Sequence, residues 1–273
     1  MSNKQLVSKQ IEDFYTTASE EKRLESGLGT LEFERNKSLI SKYTTTLNST
    51  ILDIGGGTGK YAKWLTKKGH IVHLIDPIEK HVKRATKRAS KLDNPFTANL
   101  GEARDLPFED NFADLVILHG PLYHLQNAND RLKALEEAKR VLKPGGILLG
   151  FAINYTASTL VGLWQGLIHD PGFYNMCIEE LTTGIHNPPV EVPWLLAEAY
   201  YHNPSLLKSE IIESGLDFIN LHAVEGMAWL DSNFFVNMAD AAKRENLMNL
   251  VLRTESDPNL LSFSPHMMIA ARK

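Results

Sequence analysis

The chain has 273 residues, of which 43% are hydrophobic and 23% are charged, and its formal net charge at pH 7 is −4. This length allows one large domain or a core with a smaller cap, and the charge argues mildly against a protein built mainly to bind nucleic acid. No run of about 18 uninterrupted apolar residues is present, so no membrane span is expected.

The cysteine content and the first residues bear on the cellular compartment. Cys177 is the single cysteine, which excludes an internal disulfide and a zinc site built on cysteines. Residues 1–5 lack the apolar core of a signal peptide. We therefore expect a cytoplasmic protein, and we expect no bound metal.

Residues 1–48 come before the first predicted strand. Their apolar residues are spaced as in one or two amphipathic helices, and the segment from Leu31 leads into a helix expected to end near Tyr43. These helices are expected either to pack on the sheet with a solvated outer face or to cover a ligand.

Residues 51–60 read Ile-Leu-Asp-Ile-Gly-Gly-Gly-Thr-Gly-Lys. The pattern predicts a buried parallel strand, a glycine-rich turn and a helix that begins at Lys60, with Thr58 as its cap. Glycines let a ligand approach the backbone, and the free N–H groups of a helix start favour anionic groups. A nucleotide-like ligand is therefore predicted at this turn.

Two families use such a turn. The spacing Gly57-x-Gly59-x-x-Ala62 satisfies the dinucleotide pattern G-x-G-x-x-G/A, which favours a nicotinamide enzyme. Asp53 stands two positions before Gly55, where nicotinamide-binding strands normally carry an apolar residue. An acid at this position followed by alternating glycines resembles motif I (D/E-x-G-x-G-x-G) of class I methyltransferases. The resemblance implies S-adenosylmethionine as cofactor and S-adenosylhomocysteine as product.

Asp76 ends the second predicted strand, Ile71–Ile75, about 20 residues beyond the glycine turn. An acid at this distance can accept hydrogen bonds from both ribose hydroxyls of a nucleotide. The structural alternative is a helix cap for the residues from Ile78 onward, and one side chain can serve both purposes.

The segment that follows the third predicted strand, Phe96–Leu100, is Gly-Glu-Ala-Arg-Asp-Leu-Pro-Phe over residues 101–108. It resembles the methyltransferase segment G-D-A-x-x-L-P-F, in which the acid and the next backbone N–H recognise adenine. Glu102 stands here where aspartate is commoner, so the resemblance implies adenine recognition through a longer side chain.

The fourth predicted strand, Ala113–Leu118, opens into His-Gly-Pro-Leu-Tyr-His-Leu, which is similar to a group of small bacterial methyltransferases. Ligands in open parallel sheets bind beyond the carboxyl ends of the strands. His119 is therefore a candidate general base or a residue that orients the nucleophile, and Tyr123 is expected to position substrate. His124 is expected in the pocket or, alternatively, in the core with a backbone carbonyl as partner.

The fifth predicted strand, Ile147–Ala152, follows the segment Arg-Val-Leu-Lys-Pro-Gly-Gly over residues 140–146. This segment closely resembles the turn before strand five in this family. The alternation of predicted strands and helices then stops, and residues 155–203 are interpreted as a helical cap over the substrate pocket. Aromatic residues of this cap either line the pocket or pack in its core; they are Trp164, Trp194, Tyr200 and Tyr201.

The helix predicted from Lys80 to Lys91 carries six basic residues at spacings of three and four. Such a stripe can bind phosphates, which keeps a tRNA substrate in consideration. No aromatic residue interleaves with the stripe, so base stacking is unsupported and a solvated outer face is the preferred interpretation.

These observations predict an α/β fold with a seven-stranded, doubly wound sheet, mostly parallel and with an antiparallel last strand. Residues 49–154 and 204–273 form the Rossmann-like core, residues 1–48 a helical segment that covers the cofactor, and residues 155–203 the cap. The resemblance implies methyl transfer by in-line displacement, with no metal, to an acceptor that is expected to be a small molecule.

The same resemblance assigns the site. Tyr15 and Arg23 are expected to reach the methionine end of the cofactor, with Arg23 on its carboxylate. The remaining cofactor-binding residues are Asp53, Gly55, Gly56, Gly57, Gly59, Asp76, Pro77, Glu102, Ala103 and His119. Alternatives to a small-molecule methyltransferase are a tRNA or protein methyltransferase, an NAD(P)-dependent oxidoreductase, and a protein that binds S-adenosylmethionine without transferring methyl groups.

Overall fold

The computed structural model describes residues 6–17, 24, 27–192 and 195–273. Its helices are α1 (Lys9–Thr17), α2 (Leu28–Tyr43), α3 (Lys60–Lys67), α4 (Glu79–Ala89), α5 (Pro121–His124), α6 (Ala128–Val141), α7 (Ala157–Gln165), α8 (Pro171–Thr183), α9 (Pro204–Glu213), α10 (Phe234–Ala239) and α11 (Ala241–Thr254). Its strands are β1 (Thr50–Ile54), β2 (Ile71–Asp76), β3 (Thr97–Leu100), β4 (Ala113–Leu118), β5 (Leu142–Ile153), β6 (Ile185–His186), β7 (Ala199–Tyr200), β8 (Asp217–Ala223) and β9 (His266–Arg272).

Seven strands form one sheet in the order β3-β2-β1-β4-β5-β9-β8. Strands β1 to β5 pair in parallel, and β9 is antiparallel to both β5 and β8. The predicted seven-stranded, mostly parallel sheet with an antiparallel last strand is confirmed.

The glycine turn lies where the strand order reverses. Chain connections run outward from β1 through β2 to β3, then cross back to β4 on the other side of β1. Ligands of open α/β sheets bind in the crevice that such a reversal leaves at the carboxyl ends of the strands. The ends of β1 and β4, which pair Ile54 with Leu118, form this crevice here.

Two local predictions were wrong. The helix after the turn does begin at Lys60, but its cap is Gly59 in the left-handed conformation, and no side chain caps it. Strand β5 begins at Leu142 instead of Ile147. The extra residues stay extended because Gly145 and Gly146 exchange backbone hydrogen bonds with Lys273, which follows β9.

Residues 155–203 are not wholly helical. They contain α7, a short 3₁₀ turn, α8 and a small antiparallel hairpin of β6 and β7. Among the described residues, no helix combines the length and the apolar character that crossing a bilayer requires.

A buried arginine connects this region to the core. Arg131 on α6 is 2% exposed and pairs with Glu210 on α9 at 2.6 Å. Its Nη1 donates to the backbone carbonyls of Leu125 and Gln126, and its guanidinium lies 3.7 Å from the ring centre of Tyr200. Arg131 thus fixes the segment after β4 and the hairpin strand β7 in one place.

We expect Glu210→Ala to lower the free energy of unfolding by about 3–5 kcal/mol, because it leaves the buried Arg131 charge without its carboxylate counter-ion. The measurement is a urea titration. The matched control is Glu79→Ala, which breaks an exposed ion pair with Lys83 and is expected to cost less than about 1 kcal/mol. Equal losses in the two variants would contradict the structural role of Arg131.

Candidate active site

One cavity of about 390 Å³ lies at the carboxyl ends of β1, β2, β4 and β5. Residues of α1 line one side of it, and residues of α7 and α8 line another. Its lining includes Ile11, Phe14, Tyr15, Gly55, Gly56, Gly57, Thr58, Asp76, Pro77, His81, Glu102, Ala103, His119, Tyr123, His124, Phe151, Ile153, Ser158, Val161, Phe173, Leu196 and Tyr201.

The glycine turn is shaped by packing at two positions and open at a third. A Cβ on Gly55 would lie 1.9 Å from the carbonyl oxygen of His119, and one on Gly56 would lie 2.6 Å from Oδ2 of Asp53. Gly57 has a φ of 57°, and a Cβ there would meet nothing within 4 Å. Gly55 and Gly56 are therefore required by the protein itself, whereas Gly57 borders the open cavity.

Gly59 and Asp53 lie behind the cavity wall. A Cβ on Gly59 would lie 2.7 Å from the ring of Phe96. A glycine at this position therefore lets the turn pack against Phe96, the residue before β3. Thr58 faces the cavity instead, and Arg88 donates hydrogen bonds to its carbonyl and its hydroxyl.

Asp53 acts on the cavity through His119. Its Oδ1 lies 3.0 Å from Nδ1 of His119, and a carboxylate only accepts, so Nδ1 carries the hydrogen. The imidazole is stacked between Tyr61 and Phe151, with each ring centre 4.4 Å away. Nε2 is buried, and no partner for it occurs in the described ranges. The ring is thus held in one orientation with an unused nitrogen lone pair.

Asp76 hydrogen-bonds to the glycine turn and also lines the cavity. Its Oδ2 accepts from the backbone N–H of Gly57 at 2.8 Å, and its Oδ1 accepts from that of Ile78 at 2.9 Å. Nδ1 of His81 lies 3.1 Å from Oδ1. Oδ2 has one partner and can accept a further hydrogen bond, so the cap role and a ligand role are compatible.

Glu102 is held by an arginine. Nε of Arg104 donates to its Oε2 at 2.7 Å, and Arg104 also pairs with Asp130 at 3.0 Å. These carboxylates raise the pKa of Arg104, with the hydrogen bond to Glu102 as the largest cause. The Glu102 side chain is therefore fixed beside Ala103 at the rim of the cavity.

Helix α1 contacts the segment after β4 through Tyr15. The hydroxyl of Tyr15 lies 2.7 Å from Nε2 of His124, and its ring meets both His124 and His81 edge-on. Burial lowers the pKa of His124 to about 3, so the ring is neutral at physiological pH. Nδ1 of His124 is buried without a partner in the part of the chain that the structure describes.

Two predicted pocket residues do not line the cavity. Trp164 is 40% exposed and packs edge-on against Trp229, because it lies one helical turn beyond Val161, the last α7 residue at the wall. Tyr200 contacts Arg131, whereas Tyr201, which directly follows β7, lines the cavity.

Two further predicted residues, Arg23 and Trp194, lie outside the described residues. Several cavity residues were missed by the sequence analysis. Tyr61 and Phe151 sandwich His119, His81 contacts Asp76, and Ser158 lies at the far wall. The position of His81, five residues after Asp76, could have indicated their contact. Nothing in the sequence indicates that Ser158 reaches the cavity.

The neutral state of His124 predicts a pH dependence of stability. Below pH 6.5 unfolding takes up a proton on this residue, so stability falls as the pH falls. We expect the wild type to lose about 1–2 kcal/mol more than His124→Gln between pH 7.5 and pH 5. His169→Gln is the control, because His169 is exposed. Parallel pH profiles of wild type and His124→Gln in urea titrations would contradict the buried neutral ring.

Comparison with known sequences agrees with this geometry. Residues 52–150 match a family model described as a methyltransferase domain. The ubiquinone/menaquinone biosynthesis C-methyltransferase UbiE of Neisseria meningitidis is 29% identical over 178 residues, covering 63% of this chain and 68% of that protein. The protein of the same name from Vibrio cholerae is 38% identical over 104 residues, covering 36% of this chain and only 39% of its own length.

A solved structure shares the fold. The S-adenosylmethionine-dependent methyltransferase of Methanosarcina mazei superposes with a TM-score of 0.59 at 19% identity, covering 86% of this chain and 96% of that chain. The residues that match the methyltransferase model include the glycine turn, Asp76, Glu102 and His119. The sheet order, the turn and both comparisons lead to one conclusion: this chain carries a methyltransferase domain over residues 52–150, in the fold of S-adenosylmethionine-dependent methyltransferases.

Proposed function

We propose that the protein methylates a small, largely apolar molecule that is held inside the cavity. The observation that carries this proposal is that one cavity contains both the glycine turn and an apolar wall, formed by Val161 of α7, Phe173 of α8 and Leu196 from the segment before β7. A concave, largely apolar site favours a molecule that fits within it over a macromolecule.

The cofactor is proposed to lie along the strand ends, with its adenosine at β2 and β3. Asp76 would accept hydrogen bonds from the ribose hydroxyls, and Glu102 with the N–H of Ala103 would bind adenine. The open backbone at Gly57 fits the close approach of a ligand. The methionine end would then reach His119, where an unused buried Nε2 supports a ligand contact.

When bound, S-adenosylmethionine supplies a methyl group already activated by a sulfonium charge. The protein's own task is then to align the acceptor and exclude water. Asp53 holds Nδ1–H of His119, so Nε2 is oriented to accept a hydrogen bond or a proton from an acceptor group. Tyr123 lines the same part of the cavity and is proposed to position the acceptor.

The names of the sequence relatives give one candidate chemistry. Both are called C-methyltransferases of ubiquinone and menaquinone biosynthesis. Methyl transfer to carbon of a quinone-type precursor is compatible with an apolar cavity. The similarity covers at most 178 residues, so the acceptor of those enzymes is a candidate here and no more.

A tRNA or protein substrate is the second candidate. It is favoured by a groove between α3 and α4 that carries Lys63, Lys67, Arg84, Lys87, Arg88 and Lys91. Phosphates would bind such a surface. The groove shares no lining residue with the cavity, so the small-molecule proposal has the stronger support.

The two candidates are separated by labelled S-adenosylmethionine in a cell extract divided by ultrafiltration. We expect the wild type to place the label in the small-molecule fraction. His119→Ala is expected to reduce this transfer by at least about 100-fold, the range typical of a lost acid–base residue. Label in RNA or protein would contradict the small-molecule proposal, and full activity of His119→Ala would remove His119 from the chemistry.

The proposed ribose contact is tested with adenosine and 2′,3′-dideoxyadenosine by titration calorimetry. We expect the wild type to prefer adenosine by at least about tenfold, or 1.4 kcal/mol, and Asp76→Ala to lose that preference. Asp114→Ala is the control, because Asp114 pairs with Lys143 near the amino end of β4, at the opposite end of the strands from the cavity. If Asp76→Ala weakens the binding of both nucleosides equally, Asp76 stabilises the turn and does not contact the ribose hydroxyls.

A further inference from the structure

Three side chains with metal-ligand chemistry meet at the β9 side of the cavity. Glu32, Glu225 and His266 each offer one ligand atom, and these atoms lie within 4.8 Å of one another. Both glutamates are buried, and Glu32 and His266 line the cavity. A divalent cation binds nitrogen and oxygen at about 2.0–2.3 Å, so one cation can contact all three residues after small side-chain adjustments.

The three residues come from separate elements that reach the same edge of the sheet. Glu32 lies on α2, Glu225 follows the end of β8 by two residues, and His266 begins β9. His266 pairs with Ile153 at the carboxyl end of β5, because β9 runs antiparallel to β5. The cluster therefore lies at the carboxyl ends of the parallel strands, on the far side of β5 from the proposed adenosine position at β2 and β3.

Glu225 and His266 are held in a fixed relation to each other. Oε2 of Glu225 accepts from the backbone N–H of His266 at 3.1 Å and lies 3.0 Å from the hydroxyl of Ser264. Oε1 of Glu225 lies 2.7 Å from Nδ1 of His266. Ligands of metal sites are commonly oriented by such outer hydrogen bonds before the cation binds. The pair is therefore preorganised as part of a cation site.

A buried amide oxygen on the same helix is an independent observation that points to a ligand. Asn36 lies four residues after Glu32 on α2, so the two side chains share one face of the helix. Asn36 is 3% exposed and lines the same cavity. Its Nδ2 donates to the hydroxyl of Tyr61 at 2.9 Å, whereas its Oδ1 is buried without a partner among the described residues. An oriented amide oxygen of this kind can bind a cation or a water on that cation.

The donor set indicates which class of cation fits. Two carboxylates this close repel each other when both are ionised, and a divalent cation that contacts both removes that repulsion. Carboxylate and amide oxygens suit Mn²⁺ and Mg²⁺, whereas an imidazole nitrogen favours transition metals. Mg²⁺ takes mostly oxygen ligands and keeps much of its water. The mixed set therefore favours a first-row transition cation over Mg²⁺.

We propose that Glu32, Glu225 and His266 bind a divalent first-row transition cation at the β9 side of the cavity, with Asn36 as a further oxygen ligand. The sequence-based expectation of no metal considered cysteine ligands and the family resemblance, and neither bears on these residues. The site rests on its own ligands and does not require the proposed function. Where that function holds, the cation borders the space for the methyl acceptor and can bind an oxygen atom of it.

The test is the titration of Mn²⁺ into the chelator-treated full chain, with free Mn²⁺ measured by electron paramagnetic resonance and Zn²⁺ added as a competitor. We expect one Mn²⁺ per chain and its displacement by Zn²⁺, which stands higher in the affinity series. Glu32→Gln and His266→Gln are each expected to weaken Mn²⁺ binding by at least about tenfold. Glu34→Gln is the matched control, because Glu34 lies on the same helix and pairs with Arg244 at the surface.

Two substitutions of Asn36 separate coordination from packing. Asn36→Asp supplies a charged oxygen at the same place and should tighten Mn²⁺ binding about fivefold, because ligand charge raises affinity. Asn36→Leu removes the oxygen and should weaken binding about fivefold. A purely structural role predicts that both variants lose stability in urea titrations with chelator present and that neither tightens Mn²⁺ binding.

The outcomes decide for or against the site. Absence of stoichiometric binding of both Mn²⁺ and Zn²⁺ would overturn it, as would equal Mn²⁺ affinities in the wild type, Glu32→Gln and His266→Gln. Opposite shifts in Asn36→Asp and Asn36→Leu would support it even if His266→Gln does not fold. Failure of S-adenosylhomocysteine to bind, measured in a separate titration, would contradict the proposed function and leave the cation site standing.

Discussion

The hydrogen bond between Asp53 and His119 is the interaction on which the rest of the site depends. It joins the end of β1 to the end of β4, the two strands between which the sheet order reverses. The carboxylate and the His119 carbonyl fill the space where Gly55 and Gly56 would carry a Cβ. The glycine turn is therefore shaped by this contact, which leaves the open backbone of Gly57 facing the cavity.

Two sides of the cavity are held in place by contacts of different kinds. On one side, the Tyr15 hydroxyl of α1 lies 2.7 Å from Nε2 of His124, and Lys80 on α4 donates to the carbonyl of Thr16. On the other side, the buried charge of Arg131 fixes the segment after β4 against α9 and β7. The α1 side thus depends on partly exposed hydrogen bonds, and the Arg131 side on a buried ion pair.

The sheet and the glycine turn could be predicted because their signals are local. Buried strands, glycines and the acids Asp76 and Glu102 follow one another along the chain at family spacings. The far wall could not be predicted in this way, because the long-range packing of α7 and β7 decides whether Tyr200 or Tyr201, and whether Ser158 or Trp164, meets the cavity. Glu180 and His186 are only six residues apart, but their sequence does not predict that both side chains are completely buried.

The central claim is that the cavity at the glycine turn binds the cofactor of a methyltransferase. The most direct measurement is a thermal-shift comparison of S-adenosylhomocysteine, S-adenosylmethionine and NADH. At about 100 times its dissociation constant a specific ligand adds about 2.7 kcal/mol, or on the order of 5–10 °C for a chain of this size. The account predicts a shift with the two sulfur ligands alone. A shift with NADH alone would contradict it, and Asp53 would then need another explanation.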